Sequence, residues 1–250
     1  MAATVQLERR GPVLVVTLDD PAHLNAYDGA TLTAIGSAWE ELDADAGLRV
    51  GVLTGAGGAF CAGADVAAVA AGGFDHPPYP ELAEGLATKP TIAAIEGVCV
   101  GGGLMIATGC DLRIAGSTAT FGLPEARWNY PAQWLGALAR QVPRAAALEL
   151  VLLADERFGP DRLLAMGWLN AVVPSGGALD AALGWADRIS AQAPGAVRRF
   201  KELVDVGTWA SPADALAVGH RQAGELMRMA DTLEGARAFA ERRAPRWTDS

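Results

Sequence analysis

Few residues of this chain combine type and spacing in a way that could do chemistry. The stretch Gly97 to Glu125, GVCVGGGLMIATGCDLRIAGSTATFGLPE, holds three consecutive glycines, Gly101, Gly102 and Gly103, directly before a predicted helix. It ends in Pro124 and a carboxylate, Glu125. Glycine lets a ligand approach the backbone, and the unpaired N–H groups at a helix start attract negative charge. A second glycine-bearing turn, Gly63-Ala64, also lies between a predicted strand and a predicted helix. Two backbone N–H groups converging from such turns stabilise an oxyanion, and one acid beside them moves a proton. Either turn alone is satisfied by glycine's ability to pack tightly. The two together with Glu125 point to a site. Phe121, Leu123 and Pro124 beside Glu125 predict partial desolvation and a raised carboxyl pKa, the alternative being a carboxylate that caps a turn after proline.

Other chemistries find little support. There is no G-x-S-x-G, no P-loop, no G-x-G-x-x-G and no C-x-x-C. His23, His76 and His220 are far apart and in no metal-ligand pattern, so no metal is expected. Cys61, Cys99 and Cys110 have small or apolar neighbours, which predicts buried free thiols in a reducing compartment. The N-terminus carries charges where a signal peptide needs an apolar run, and no apolar stretch reaches membrane-span length; a cytoplasmic location follows as the expectation. A formal net charge of -9 argues against a nucleic-acid partner.

The elements that must position Glu125 and the two turns alternate as in an α/β protein. Thr4 to Arg9 and Val13 to Leu18 read as a hairpin, Asn25 to Asp28 introduces a helix running to about Ala44, and Val50 to Thr54 reads as a buried strand. A short alanine-rich helix is predicted after Asp65, then a Gly- and Pro-rich break from Gly72 to Pro80, which reads equally as a flap beside a site or as a surface connection. Strands are predicted at Thr91 to Ile95, Asp111 to Ala115 and Asn170 to Val173. Helices follow around Trp134 to Val142, at Ala145 to Leu153, Leu179 to Ala191, Ala196 to Val206, Pro212 to Met229 and Thr232 to Arg243. The expected organisation is an α/β core, residues 1–190, and a C-terminal helical region, residues 191–250.

With the elements placed, a set of motifs becomes recognisable: Asp20-Pro21 with Asn25-Ala26, GAGGAFCAGAD (Gly55 to Asp65), AAIEGVCVGGG (Ala93 to Gly103), CDLRIA (Cys110 to Ala115), FGLPE (Phe121 to Glu125) and EGARAFAERRAP (Glu234 to Pro245). In order and spacing the chain resembles the crotonase superfamily, the enoyl-CoA hydratase/isomerase family, over nearly its whole length. The resemblance implies a spiral of ββα units with two nearly perpendicular sheets and a C-terminal helical trimerisation region, assembled as a homotrimer or hexamer. It implies an acyl-CoA thioester as substrate with no separate cofactor. The N–H groups of Ala64 and Gly102 match the family's oxyanion hole. His23, Leu24, Ala62, Gly63, Asp65, Val66 and Gly101 match the region that grips CoA, and Arg242 and Arg243 match a motif placed to reach CoA phosphates or simply to end a helix.

One departure from the pattern is informative. Family hydratases use two glutamates to hold and split a water, one on the helix after the glycine triplet and one in F-G-x-P-E. Here the second is Glu125, and the first position is Met105, which can act neither as acid nor base. A lone glutamate still suits a proton shuttle that moves a 3-enoyl double bond to the 2-position. Trp128, Tyr130 and Trp134, after Glu125, are placed toward the acyl pocket or serve as core. Isomerisation through a thioester enolate is therefore the favoured expectation. Hydration or another crotonase-type lyase or hydrolase reaction, and non-catalytic acyl-CoA binding, stay open.

Overall fold

A computed structural model describes residues 3–65 and 85–249. The helix expected after Asp65, the break at Gly72 to Pro80, and Val66 and His76 lie outside the described residues.

Strands β1 (Thr4–Arg10) and β2 (Val13–Asp19) form the expected hairpin around Gly11, which takes φ +59°. Parallel strands β3 (Val50–Gly55) and β4 (Thr91–Ile95) add to β2. Strands β6 (Leu112–Gly116) and β8 (Ala171–Val173) complete a six-stranded sheet of order β1-β2-β3-β4-β6-β8. The central strands are apolar at nearly every position because both faces are covered. Alternate residues divide between the faces. Val13, Val15, Val50, Val52, Ile92, Ala94 and Ile114 pack on a helix at Ala178–Ser190, while Leu14, Val16, Leu53, Ala93 and Ile95 join a second core that includes Leu32, Ile35, Trp39 and Leu42 of α1 (Gly29–Ala44). Asp28 starts α1 with a capping box, its side chain accepting from the Thr31 N–H.

A second, two-stranded parallel sheet joins β5 (Val98–Val100) to β7 (Thr120–Gly122). Three-residue strands leave no periodicity to read, and the sequence reading did not assign them. Helix α2 (Gly102–Thr108) follows β5. It begins one residue after the first glycine of the triplet, so Gly102 and Gly103 are helical rather than preceding the helix as expected. Close packing keeps both helical positions glycine: a Cβ on Gly102 would overlap Tyr27 and one on Gly103 would overlap the Cys61 carbonyl. Helices α3 (Leu135–Gln141), α4 (Arg144–Leu152) and α5 (Pro160–Ala165) lead to β8; α5 was not foreseen. Then come α6 (Ala178–Ser190), α7 (Pro194–Trp209), α8 (Pro212–Leu226) and α9 (Ala230–Glu241).

Two buried polar side chains hold the loops that carry the site. Asn25, fully buried with φ +56°, accepts from the Asp20 N–H at 2.8 Å and donates to the carbonyls of Ala56 and Ala59 at 2.9 and 2.8 Å. Asn25→Ala strands these backbone groups without water and forces alanine into the left-handed region, costing about 3 kcal/mol. Thermal unfolding should show a midpoint lower by roughly 6 °C or more. At the far end of α2, Arg113 donates to the carbonyls of Trp168 and Cys110, both at 2.6 Å, and of Ala107 at 3.3 Å, with its guanidinium 5.1 Å from the Trp168 ring centre. Gln141 takes the Thr108 carbonyl at 3.0 Å. These donors satisfy the last carbonyls of α2 and fix its axis.

Candidate active site

The parallel pairing of β5 with β7 decides where the glycine triplet meets the carboxylate. Val100 pairs with Gly122, and the Gly101 N–H donates to the Gly122 carbonyl at 2.9 Å. Three residues past Gly122, Glu125 enters the 3-10 turn Pro124–Trp128. Gly101 takes φ +57° and ψ −127°, a conformation open to glycine alone, and a Cβ there would sit 3.0 Å from Glu125 Oε1. Gly102, the first residue of α2, has an N–H with no acceptor inside the helix.

The second turn approaches from the other side. The Tyr27 N–H donates to the Gly63 carbonyl at 3.0 Å, and the Asp65 N–H to the Tyr27 carbonyl at 2.9 Å. In this parallel ladder Ala64 is the residue opposite Tyr27, so its own N–H is directed away from the pairing. Gly63, at φ +95°, has its N–H 3.4 Å from the Cys61 sulfur, and a Cβ on it would lie 3.2 Å from the Val100 carbonyl and 3.5 Å from the Gly102 nitrogen. The space between the two turns is therefore too narrow for a side chain on Gly63.

Both open onto one cavity of about 280 Å³. Its wall takes in Ala62, Gly63, Ala64, Gly101 and Gly102 on the backbone side, and Met105, Glu125, Trp128, Tyr130 and Trp134 on the other. Glu125 is largely buried, its Oε2 has no hydrogen-bond partner among the described residues, and burial pushes its carboxyl above the usual carboxylate range. Asn129, left-handed at φ +50°, turns the chain so that the Tyr130 N–H donates to the Glu125 carbonyl at 3.0 Å. Burial and then the Glu125 charge raise the Tyr130 phenol. Met105 is 1% exposed and presents a thioether where an acid would be needed to hold water.

Other residues singled out in the sequence lie elsewhere. His23 and Leu24 sit on an exposed 3-10 turn outside the cavity wall, with the His23 Nδ1 2.8 Å from an Asp20 carboxylate oxygen. Asp65 adjoins the turn without lining the cavity. Arg243 is bound by the carboxylates of Glu234, at 2.6 and 2.9 Å, and of Glu241, while Arg242 is exposed at the end of α9. Core packing does not describe Trp128, which is 71% exposed at the cavity mouth, whereas Trp134 is 4% exposed and belongs both to the wall and to the core. The sequence reading missed Tyr27, Pro131 and Gln133, which also line the cavity. For Tyr27 a signal existed in its position directly after Asn25-Ala26.

Burial pushes the Cys61 and Cys110 thiols up to about 12 and raises Cys99 as well, so none is a ready nucleophile. Among the described residues no group of three or more His, Cys, Asp and Glu is arranged to hold a metal, and no helix is long and apolar enough to cross a membrane.

A doubly covered, mostly parallel sheet, with a glycine-started helix and, among the described residues, one glutamate on the cavity wall, defines an α/β protein of the crotonase fold. The family model described as enoyl-CoA hydratase/isomerase matches residues 8–250, and the chain belongs to that family of enzymes. The enoyl-CoA hydratase EchA19 of Mycobacterium tuberculosis is 37% identical over 96% of this chain and 94% of its own. The (E)-benzylidenesuccinyl-CoA hydratase of Thauera aromatica is 36% identical over 96% and 97%. Among solved structures, an enoyl-CoA hydratase from Mycobacterium tuberculosis superposes with a TM-score of 0.90 at 36% identity, over 98% of this chain and 99% of that one.

Proposed function

We propose that the chain acts on an acyl-CoA thioester through an enolate and that its favoured reaction moves a 3-enoyl double bond to the 2-position. Membership of the enoyl-CoA hydratase/isomerase family supports the substrate class. In this reading the Ala64 and Gly102 amides hold the thioester oxygen, each donor being worth roughly 3–4 kcal/mol as negative charge develops there. Glu125 removes a proton from C2, the electrons move toward the thioester oxygen, and the same carboxyl returns a proton at C4. The chemistry draws on the chain's own residues and on the thioester, with no separate cofactor.

The observation that carries the preference is Met105, buried on the cavity wall where a second acid would stand. Purified protein given 3-hexenoyl-CoA should accumulate 2-hexenoyl-CoA. A robust hydration of 2-hexenoyl-CoA with no isomerisation would overturn the preference. Hydration is the second reading, supported by relatives named hydratases and by the Tyr130 phenol and Gln133 amide on the wall, which could hold a water.

We further propose a homotrimer, or trimers paired as a hexamer, working in a reducing cytoplasm. The support is the apolar surface on α7 to α9, where Phe200, Val204, Trp209, Leu216 and Leu233 are exposed and Phe239 is 88% exposed. Light scattering should give about three or six times 25.8 kDa. Phe239→Asp, harmless to a monomer, should shift the mass downward.

A further inference from the structure

Among the described residues, the acyl side of the cavity carries rings supplied by two distant parts of the chain. Tyr27 enters beside the Ala64 turn, while Trp128, Tyr130 and Trp134 come from the ten residues after Glu125. Met105 adds a thioether, the group that packs most adaptably on an aromatic face or edge. An aliphatic tail needs only apolar surface, and leucine or valine walls would supply it; rings add a preference for flat π-systems through offset and edge-to-face contact. The placement of the two tryptophans is consistent with a flat group entering from the mouth. Trp134 is pinned in the core as an inner wall, whereas Trp128 leaves 71% of its surface in solvent, with the Arg127 guanidinium 5.8 Å from its ring centre. A large ring left exposed at a cavity mouth gains most from a ligand that covers it.

We infer that this cavity selects acyl groups bearing an aromatic ring a short distance beyond the double bond, in preference to linear aliphatic acyl groups. This rests on the acyl-CoA reading of the same cavity given above. With the thioester oxygen at the two amides and C2 to C4 beside Glu125, a ring joined through C5 lies among Trp134, Tyr130 and Trp128. Two such ring contacts correspond to about a tenfold preference.

The test compares 5-phenyl-3-pentenoyl-CoA with 5-cyclohexyl-3-pentenoyl-CoA, which has the same carbon count without the π-system, and with 3-hexenoyl-CoA. The 2-enoyl counterparts run in parallel, so that isomerisation and hydration are both read. The phenyl compound should show kcat/KM about tenfold above each of the others, whichever reaction the enzyme performs. Trp134→Leu should bring the phenyl-to-cyclohexyl ratio toward one, and Trp128→Ala, at an exposed position, provides the same readout should the buried substitution impair folding. A ratio at or below one in the wild type overturns the inference while leaving the acyl-CoA reading intact. Should none of these thioesters turn over, the reaction assignment fails separately. The Kd of 5-phenylpentanoyl-CoA against 5-cyclohexylpentanoyl-CoA, read by tryptophan fluorescence, then decides: tighter phenyl binding supports the ring preference and equal or weaker binding ends it.

Discussion

Glu125→Gln should lower kcat for isomerisation by about 10³-fold while acyl-CoA binding changes little, because the amide keeps the shape of the carboxyl and loses its ability to accept and return a proton. Stopped-flow absorbance for the reaction and fluorescence titration for binding separate the two. The same residue gives the rate a pH dependence of known sign. The base must be ionised, and burial lifts its pKa above the usual carboxylate range, so kcat/KM should fall with acid at a higher pH than an exposed glutamate would impose. A stability effect accompanies it. A carboxyl whose pKa is higher folded than unfolded favours the fold most at low pH, and that advantage is lost as pH rises from the ordinary glutamate range through the raised folded value. Above that window the wild type carries a largely buried charge with one oxygen that has no hydrogen-bond partner among the described residues. Glu125→Gln should therefore melt about 2 °C or more above wild type at pH 8, with the difference shrinking or vanishing at pH 4. An inactive variant that is no more stable at pH 8 would show that the carboxylate is compensated in solution.

The second large effect is expected at Gly102. Alanine suits a helix start better than glycine in general, yet here its methyl would overlap the Tyr27 hydroxyl and ring. The Tyr27 ring is 4% exposed and held in the core, so α2 shifts instead and the Gly102 amide leaves its place beside Ala64. Gly102→Ala should lose roughly 10²–10³-fold in kcat with the circular dichroism spectrum retained. Tyr27→Ala alone should be mild by comparison, and combining it with Gly102→Ala should recover part of the lost rate because the overlap is removed. A double variant no better than Gly102→Ala would place the damage in the helix rather than in the overlap.

The parts of this molecule that were legible in sequence are those with long periods or special residues. The helices longer than ten residues follow from apolar residues at helical spacing, and the central strands of the large sheet from the continuous apolar patterning that burial on both faces imposes. Gly63, Gly101 and Gly102 were legible because those backbone positions tolerate no side chain, and Glu125 because it ends a motif beside them. What was not legible is tertiary in origin. The β5–β7 pair is too short to show a period, yet its register alone sets Gly101 against Glu125. Tyr27 reaches the cavity because a residue 37 positions further on pairs with its backbone. His23 and Leu24, at motif positions, form an exposed turn beside the cavity, where the Leu24 carbonyl accepts from the Ala62 N–H at 2.9 Å.

The chain's two lysines are both consumed by the fold. Lys89, 7% exposed, donates to the carbonyls of Leu42 and Asp45, both at 2.8 Å, and Lys201 joins the Ala87 carbonyl at 2.7 Å to the Asp111 carboxylate at 2.8 Å. Acyl thioesters transfer their acyl groups spontaneously to free amines, and an ammonium held in place by oxygen acceptors offers no lone pair. A catalyst that meets such thioesters at every turnover thus presents them with no free lysine to acylate, and the positive charge left on its surface is arginine, which that transfer does not touch.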